Sequence, residues 1–271
     1  MISKELKSFI KNNFRKEAVV CLTGAGISAE SGVPTFRGKD GLWSHYDPDV
    51  FSTSEGLALA FKRQPLDVAG FVIELYSILL KARPNPAHLG LSALEKDNIL
   101  SAIITQNVDN LHQKAGSRNV IELHGNAFRI RCRDCGNKIV LEPQRLKEMV
   151  SLLKAAGSSR LKLLRVLSRY FPRCKCGGRF RIDIVLFGEM LPQEELSKAY
   201  QRLDKCKVLL LVGTSLVVYP AASLPVYAKE KGATLIEINN EPSALSNLCD
   251  YRISSGCAEV MPQILNILGY A

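Results

Sequence analysis

Three absences narrow the field. No stretch of the 271 residues approaches 18 uninterrupted apolar positions, which argues against a membrane-spanning helix. The first residues, Met1-Ile-Ser-Lys-Glu-Leu-Lys7, lack the apolar centre of a signal peptide and read as the start of an amphipathic helix. A cytoplasmic location is therefore expected. Acidic residues are scarce in one region: 129–181 holds 15 Lys/Arg against Asp134, Glu142 and Glu148, a net of +12. The whole chain carries +10, so everything outside that segment sums to about −2. The basicity is local. Zinc bound by four thiolates would remove about two units and leave the segment basic.

A reducing compartment also argues against a disulfide framework for the eight cysteines. Their spacing is more informative. Cys132 and Cys135 form a CxxC, and Cys174 and Cys176 a CxC. A CxxC knuckle lets two thiolates grip one ion from a tight turn, and Gly136, Gly177 and Gly178 supply the turn conformations. The four are expected to hold a structural zinc; a site with four thiolate ligands has no open position for catalysis. Cys21, Cys206, Cys249 and Cys257 stand alone.

Apolar runs at 18–23, 100–105, 182–187, 208–212 and 234–238 read as strands buried on both faces. Helical patterns at 65–81, 87–96, 193–203 and 221–231 alternate with them, giving an α/β class: a Rossmann-like, doubly wound parallel sheet. Segment 126–181 breaks the rhythm. Leu146, Met149, Val150 and Leu153 follow helical spacing, as do Leu163, Val166, Leu167 and Tyr170, with Gly157-Ser-Ser159 between them. We expect a zinc-ribbon module at 126–181 with a helical insertion at about 143–171. Residues 1–125 and 182–271 then form the larger domain.

Gly24-Ala-Gly-Ile-Ser-Ala29 follows the first strand and matches a dinucleotide-binding turn, although such turns also occur for purely structural reasons. The acidic ribose ligand that should follow about 20 residues on is missing, because that stretch is a loop. Glu241, beyond the strand ending at Ile238, is the better candidate. The loop at 32–43 carries Phe36, Arg37 and Trp43, suited to capping a bound cofactor. Gln106, Asn107 and Asp109 end the strand at 100–105, where this fold binds ligands; Asn107 or Asp109 could instead cap a helix. His124 precedes a glycine after a short apolar run and suits a general base. His45, His88 and His112 read as structural.

Taken in order, these pieces resemble the sirtuin family over nearly the whole chain. The matching motifs are Gly24-Ala-Gly-Ile-Ser28, Gly32-Val-Pro-Thr-Phe-Arg-Gly38, Gly41-Leu-Trp43, Thr105-Gln-Asn-Val-Asp109 and Glu122-Leu-His-Gly125. The cysteine pairs follow, then Val185-Leu-Phe-Gly-Glu189, Gly213-Thr-Ser215, Val218-Tyr-Pro-Ala221 and Asn239-Asn-Glu241. The resemblance implies a prokaryotic-type, near-minimal NAD-dependent protein-lysine deacetylase, with NAD as co-substrate and a structural zinc ion. It places Gly24, Ala25, Gly26, Gly213, Thr214 and Ser215 along phosphates and ribose. It puts Asn239, Asn240, Glu241 and Cys257 at the adenosine, with Phe36, Arg37 and Trp43 in the covering loop. Ile27, Ser28, Asn107, Val108 and Asp109 shape the nicotinamide pocket, and Gln106 supports the ribose and His124. Val185 and Phe187 flank the acyl-lysine, while Gly188, Glu189, Val217, Val218 and Tyr219 clamp the peptide as an added strand. His124, with Gln106 and Asn107, is implied as the catalytic set. Its products would be nicotinamide, free lysine and O-acyl-ADP-ribose.

Two departures carry expectations. Relatives preferring succinyl or malonyl groups have a Tyr-x-x-Arg on the helix before Pro84; the corresponding positions fall near Val72 and Leu75, with Tyr76 close by. A buried negative acyl group without a partner is costly, so neutral acyl groups are expected. The basic insertion suggests an acidic or nucleic-acid-associated partner, although a solvated hairpin would look the same. Rival functions are a dehydrogenase that leaves NAD intact, a zinc-ribbon nucleic-acid binder, mono-ADP-ribosyl transfer, and acidic-acyl removal from the same pocket.

Overall fold

The computed structural model describes residues 2–34 and 46–270. Helix α1 (Lys4–Asn13) leads into β1 (Val19–Thr23) and short α2 (Gly26–Ala29). Four helices follow: α3 (Pro48–Phe51), α4 (Ser54–Arg63), α5 (Pro65–Lys81) and α6 (Pro86–Lys96). Next come β2 (Leu100–Thr105), α7 (Leu111–Lys114), β3 (Val120–Glu122), β4 (Gly125–Cys132) and β5 (Lys138–Val140). The insertion forms α8 (Pro143–Ala156) and α9 (Arg160–Tyr170) before β6 (Phe180–Ile184). The chain closes with α10 (Gln193–Leu203), β7 (Val208–Val212), α11 (Leu224–Glu230), β8 (Thr234–Asn239), β9 (Tyr251–Ser254) and α12 (Cys257–Ile267).

Six strands form one parallel sheet in the order β3-β2-β1-β7-β8-β9. Every residue of β1 and β7 is buried, which explains their unbroken apolar runs. One face packs on α1, α6 and α12 through Ile10, Leu91, Ile103, Leu210 and Met261. The other packs on α10 and α11 through Leu22, Ile104, Ala199, Leu209 and Ala228. Truncating Ile103 or Leu210 to Ala would cost about 2–5 kcal/mol, because both are wholly enclosed. The strand order reverses between β1 and β7, and in such sheets ligands bind beyond the carboxyl ends at that point.

A second sheet, β5-β4-β6, is antiparallel. Its core unites Phe128, Ile130 and Phe180 with Leu146, Met149, Leu163 and Tyr170 of the helical hairpin, and with Ala69, Val72 and Tyr76 of α5. Helix α5 therefore shares the small module's core, although the 44 residues of 82–125 separate it from that module in sequence. The run at 182–187, expected as a strand of the large sheet, is corrected: β6 pairs with β4 in the small sheet and stops at Ile184. Its apolar residues face the module's own core, and a short apolar run cannot announce which sheet it joins. No helix of the described residues is long and apolar enough to cross a membrane.

Candidate active site

The switch point is built by two turns that interlock. Gly24 N donates to Val212 O at 3.2 Å and Gly26 N to Gly213 O at 2.7 Å. A Cβ on Gly24 would stand 2.8 Å from the Thr214 side chain, and one on Gly26 would stand 2.8 Å from Gly213 Cα. Gly213 itself has φ +58°. These glycines are needed first for the turn after β1 to nest against the turn after β7. The result is a narrow backbone cradle where the fold receives ligands. Thr214 is buried in it, and Gln106 Nε2 donates to Thr214 Oγ1 at 2.9 Å.

A polar network extends from the end of β2. Asn107 Nδ2 donates to Gly24 O at 3.0 Å and to Ser28 Oγ at 3.1 Å, while Ser28 Oγ donates to Asp109 Oδ2 at 2.7 Å. Asp109 Oδ1 also accepts at 2.8 Å from the N–H of Leu111, the first residue of α7, although the N-cap position itself is Asn110 and not Asp109. Asn107 has no capping bond. Burial raises the Asp109 carboxyl above its ordinary value, against the bonds from Ser28 and Leu111. Asn107, Val108 and Asp109 line a cleft closed by Ala25, Val33, Pro34, Leu75, Ile78 and Leu79. Apolar walls with an amide and a carboxyl group at one end suit a flat ring bearing a carboxamide.

Residues read as structural lie directly behind this cleft. Asn85 Nδ2 donates to Ile27 O at 2.7 Å, and its Oδ1 accepts from Ala87 N, beginning α6. His88 Nε2 is 3.4 Å from Ser28 Oγ, and His112 Nε2 is 3.0 Å from Thr23 Oγ1. The His88 and His112 rings are 5.0 Å apart and both are buried. Burial lowers His88 to about 4 and His112 to about 3, so both stay neutral. The sequence signal for His88 was its position three residues after the N-cap asparagine, a capping-box spacing.

His124 occupies the turn between β3 and β4, where the chain passes from the large sheet to the small one. Its Nδ1 lies 3.0 Å from the Gln106 carbonyl. A carbonyl only accepts, so Nδ1 carries the proton and Nε2 keeps its lone pair. Burial lowers its pKa, and the Gln106 bond opposes that shift. The support for His124 comes from the Gln106 backbone, because the Gln106 side chain is turned toward Thr214.

The remaining candidates divide by location. Asn239 ends β8 and its Nδ2 donates to Thr214 O at 3.1 Å; Asn240 and Glu241 follow it and are exposed. Ser215 is exposed beyond β7, and its carbonyl accepts from Ala244 N at 3.0 Å. Cys257 is buried at the start of α12, with its thiol near Ile238 O. Burial pushes that thiol up to about 12. Unforeseen in the sequence is Glu237, buried within β8, which accepts from Ser243 N, Ser246 Oγ and Arg252 and fixes the loop after Glu241. Phe36, Arg37 and Trp43 lie outside the described residues.

On the peptide side, Val185 N donates to His124 O at 2.9 Å, and Phe187 N donates to Ser52 O at 2.8 Å. Phe187, Val217 and Tyr219 are exposed, as is Gly188 with φ +82°. Val218, between Val217 and Tyr219, is half-buried. Glu189 does not offer its carboxylate to a ligand. That group is engaged by Arg181, Ser54 and Leu186 N, which hold it at about 2 although burial pushes it upward. What this loop retains for a peptide is backbone and apolar surface.

The Sγ atoms of Cys132, Cys135, Cys174 and Cys176 lie within 4.8 Å of one another, with two pairs at 3.6 Å. A tetrahedron with Zn–S of about 2.3 Å has edges of about 3.8 Å, whereas a disulfide would require about 2.05 Å. The donor set fits zinc. The knuckles close through Gly136 N to Cys132 O and Gly177 N to Cys174 O, with φ of +73° and +91° at the glycines. A Cβ on Gly178 would stand 2.7 Å from Cys132 Sγ, so that position must also be glycine.

A model of the Sir2 family matches residues 24–220. The chain is 47% identical over 252 residues to the NAD-dependent protein deacylase of Pyrococcus furiosus, covering 93% of each protein. The chain belongs to the Sir2 family. Among solved structures it resembles a Sir2 homolog–NAD complex, with a TM-score of 0.78 and 38% identity over 97% of this chain and 93% of that one. A second similar structure is a Sir2–p53 peptide–NAD+ complex, with a TM-score of 0.75, 33% identity and 98% of each chain covered. Membership in the Sir2 family accounts for a Rossmann-like sheet and a four-cysteine zinc site in one chain.

Proposed function

We propose that this protein is an NAD-dependent protein-lysine deacylase that removes acetyl or other neutral acyl groups from lysine side chains. The observation that carries the proposal is His124, whose Nδ1 is tied to the Gln106 carbonyl at the end of β2 so that Nε2 keeps its lone pair. Bound NAD supplies an electrophilic ribose carbon and a nicotinamide leaving group. The Gly24–Gly26 and Gly213 turns, with Thr214, hold its phosphates and ribose, while Asn239, Asn240 and Glu241 meet the adenosine end. Asn107, Asp109 and Ser28 orient the carboxamide, and Leu75 with Val108 excludes water from the ring. His124 Nε2 takes a ribose hydroxyl proton, a role contributing roughly 10²–10⁴-fold.

An acyl-lysine peptide enters beside Val185 and Phe187 and pairs through the backbone of 187–189 and 217–219. Preference for neutral acyl groups is supported by α5. Val72 is buried, Leu75 faces the cleft, and the Tyr76 hydroxyl is already committed to Ala127 O at 2.8 Å. None of the three provides a cation for a carboxylate. The division into a large domain, 1–125 with 182–271, and a zinc module at 126–181 is refined by assigning β6 and α5 to the module's core. Eight free cysteines, four of them needed as thiolates, support action in the reducing cytoplasm. The basic segment 129–181 adds contact with an acidic macromolecule.

Nicotinamide release tests the proposal, measured with NAD and acetyl-lysine or succinyl-lysine peptide on wild type and His124→Ala. Release should require the acetyl peptide, fall at least about 10²-fold in the variant, and be much slower with succinyl peptide. Peptide-independent release, or transfer of ADP-ribose to protein, would favour the transferase alternative. Equal succinyl turnover would reject the neutral-acyl assignment.

A further inference from the structure

The helical insertion does more than fill out the zinc module's core. Lys162, Arg165 and Arg169 stand at i, i+3 and i+7 on α9, so they share one face and span about 10 Å along it. All three are exposed. That face borders α8: Arg169 bonds Glu148 at 2.9 Å, and the guanidinium groups of Arg145 and Arg169 lie 5.6 and 5.7 Å from the Tyr170 ring. The Tyr170 ring is itself buried, so it acts as a shelf that holds both forks outward. Among the described residues, Glu148 is the single carboxylate within ion-pair distance of these four cations.

We propose that this α8–α9 seam is a docking surface for duplex nucleic acid, gripping phosphates without reading bases. Charge complementarity supports the choice: a segment of net +12 sits in a chain whose remainder is near neutral. Protein interfaces combine arginine with exposed aromatic anchors, and the one ring on this seam, Tyr170, is buried. Leu161, one turn before Arg165, and Leu164 are the exposed large apolar residues of α9. With Tyr170 buried and Phe171 packed against the module's core, α9 presents no exposed ring for stacking on unpaired bases, so a duplex fits better than a single strand. Glu148 both braces Arg169 and repels phosphate. Neutralising it removes the repulsion while leaving a side chain that can still hold the arginine.

The test uses zinc-loaded full-length protein and a fluorescein-labelled duplex of about 20 base pairs, with anisotropy read between about 50 and 200 mM KCl. Wild type should bind with a log–log salt slope of about −0.9 per phosphate contacted. The double variant K162E/R165E should bind at least about tenfold more weakly and lose about two units of slope, whereas E148Q should bind about two- to threefold more tightly. Scrambling the duplex sequence should change little. Peptide deacylation and zinc content of all variants should match wild type, showing that each is folded. The proposal is overturned if wild type shows no salt-dependent binding, or if K162E/R165E leaves the slope unchanged. It is equally overturned if E148Q weakens binding, or if poly-glutamate or anionic lipid vesicles compete as well as the duplex.

Discussion

At the scale of single residues, His124 has the clearest consequence for pH. Its burial lowers the pKa below the usual 6.5, against the pull of the Gln106 bond. In the proposed role His124 works only when neutral, so activity should persist as pH falls past 6.5 and decline only at the lowered value. A kcat/KM profile whose acid limb turned over above pH 6.5 would contradict this. His124 could be singled out in the sequence because a recognisable run of motifs surrounds it. His88 and His112 could be read there only as structural; their contacts to Ser28 and Thr23, across 60 and 89 residues of chain, could not. Nothing local marks such a contact. At Glu189 the side chain is turned inward to Arg181 and Ser54, which leaves its backbone alone for the proposed peptide strand.

Among elements, the zinc knuckles and the helical hairpin stand or fall together. Cys132 ends β4, and Cys174 and Cys176 lie just before β6, so a bound metal would clamp two of the small sheet's three strands. Those strands share a core with α8, α9 and α5. Removing zinc with a chelator, or replacing Cys176 by Ser, should loosen this whole group while leaving the parallel sheet folded. Amide exchange would then rise in β4, β6 and α8 but not in β1 or β7; uniform loss of protection would show that the two cores are not separable. The cysteine spacing and hairpin periodicity made the module readable from sequence. The affiliations of β6 and α5 were not readable, because alternation and amphipathicity reveal that a face is buried and not against what.

For the whole molecule, buried histidines set the acid limit of stability. His88 and His112 stay neutral in the fold at about 4 and about 3, but bind protons once unfolded below about pH 6.5. Their contribution is intact above that pH and is lost as pH falls, by about 1.4 kcal/mol per unit for each histidine within its window. Asp109, raised by burial, acts in the opposite sense just above its ordinary value, one group against two. Glu189, held at about 2, adds stability above its ordinary 4.5 that is lost as pH drops toward 2. The melting temperature should therefore fall steadily from pH 7 to pH 4. A flat profile over that range would contradict the burial of both rings.

Two of the strands' exits run side by side at the joint between the sheets. The chain leaves β3 for β4 through Leu123 and His124, and leaves β6 for the peptide loop through Val185, whose N–H is bonded to His124 O. His124 is thus anchored from both sheets at once: Gln106, after β2, holds its Nδ1, and Val185, after β6, holds its carbonyl. The orientation of the imidazole is set where the two sheets meet and not by either one alone.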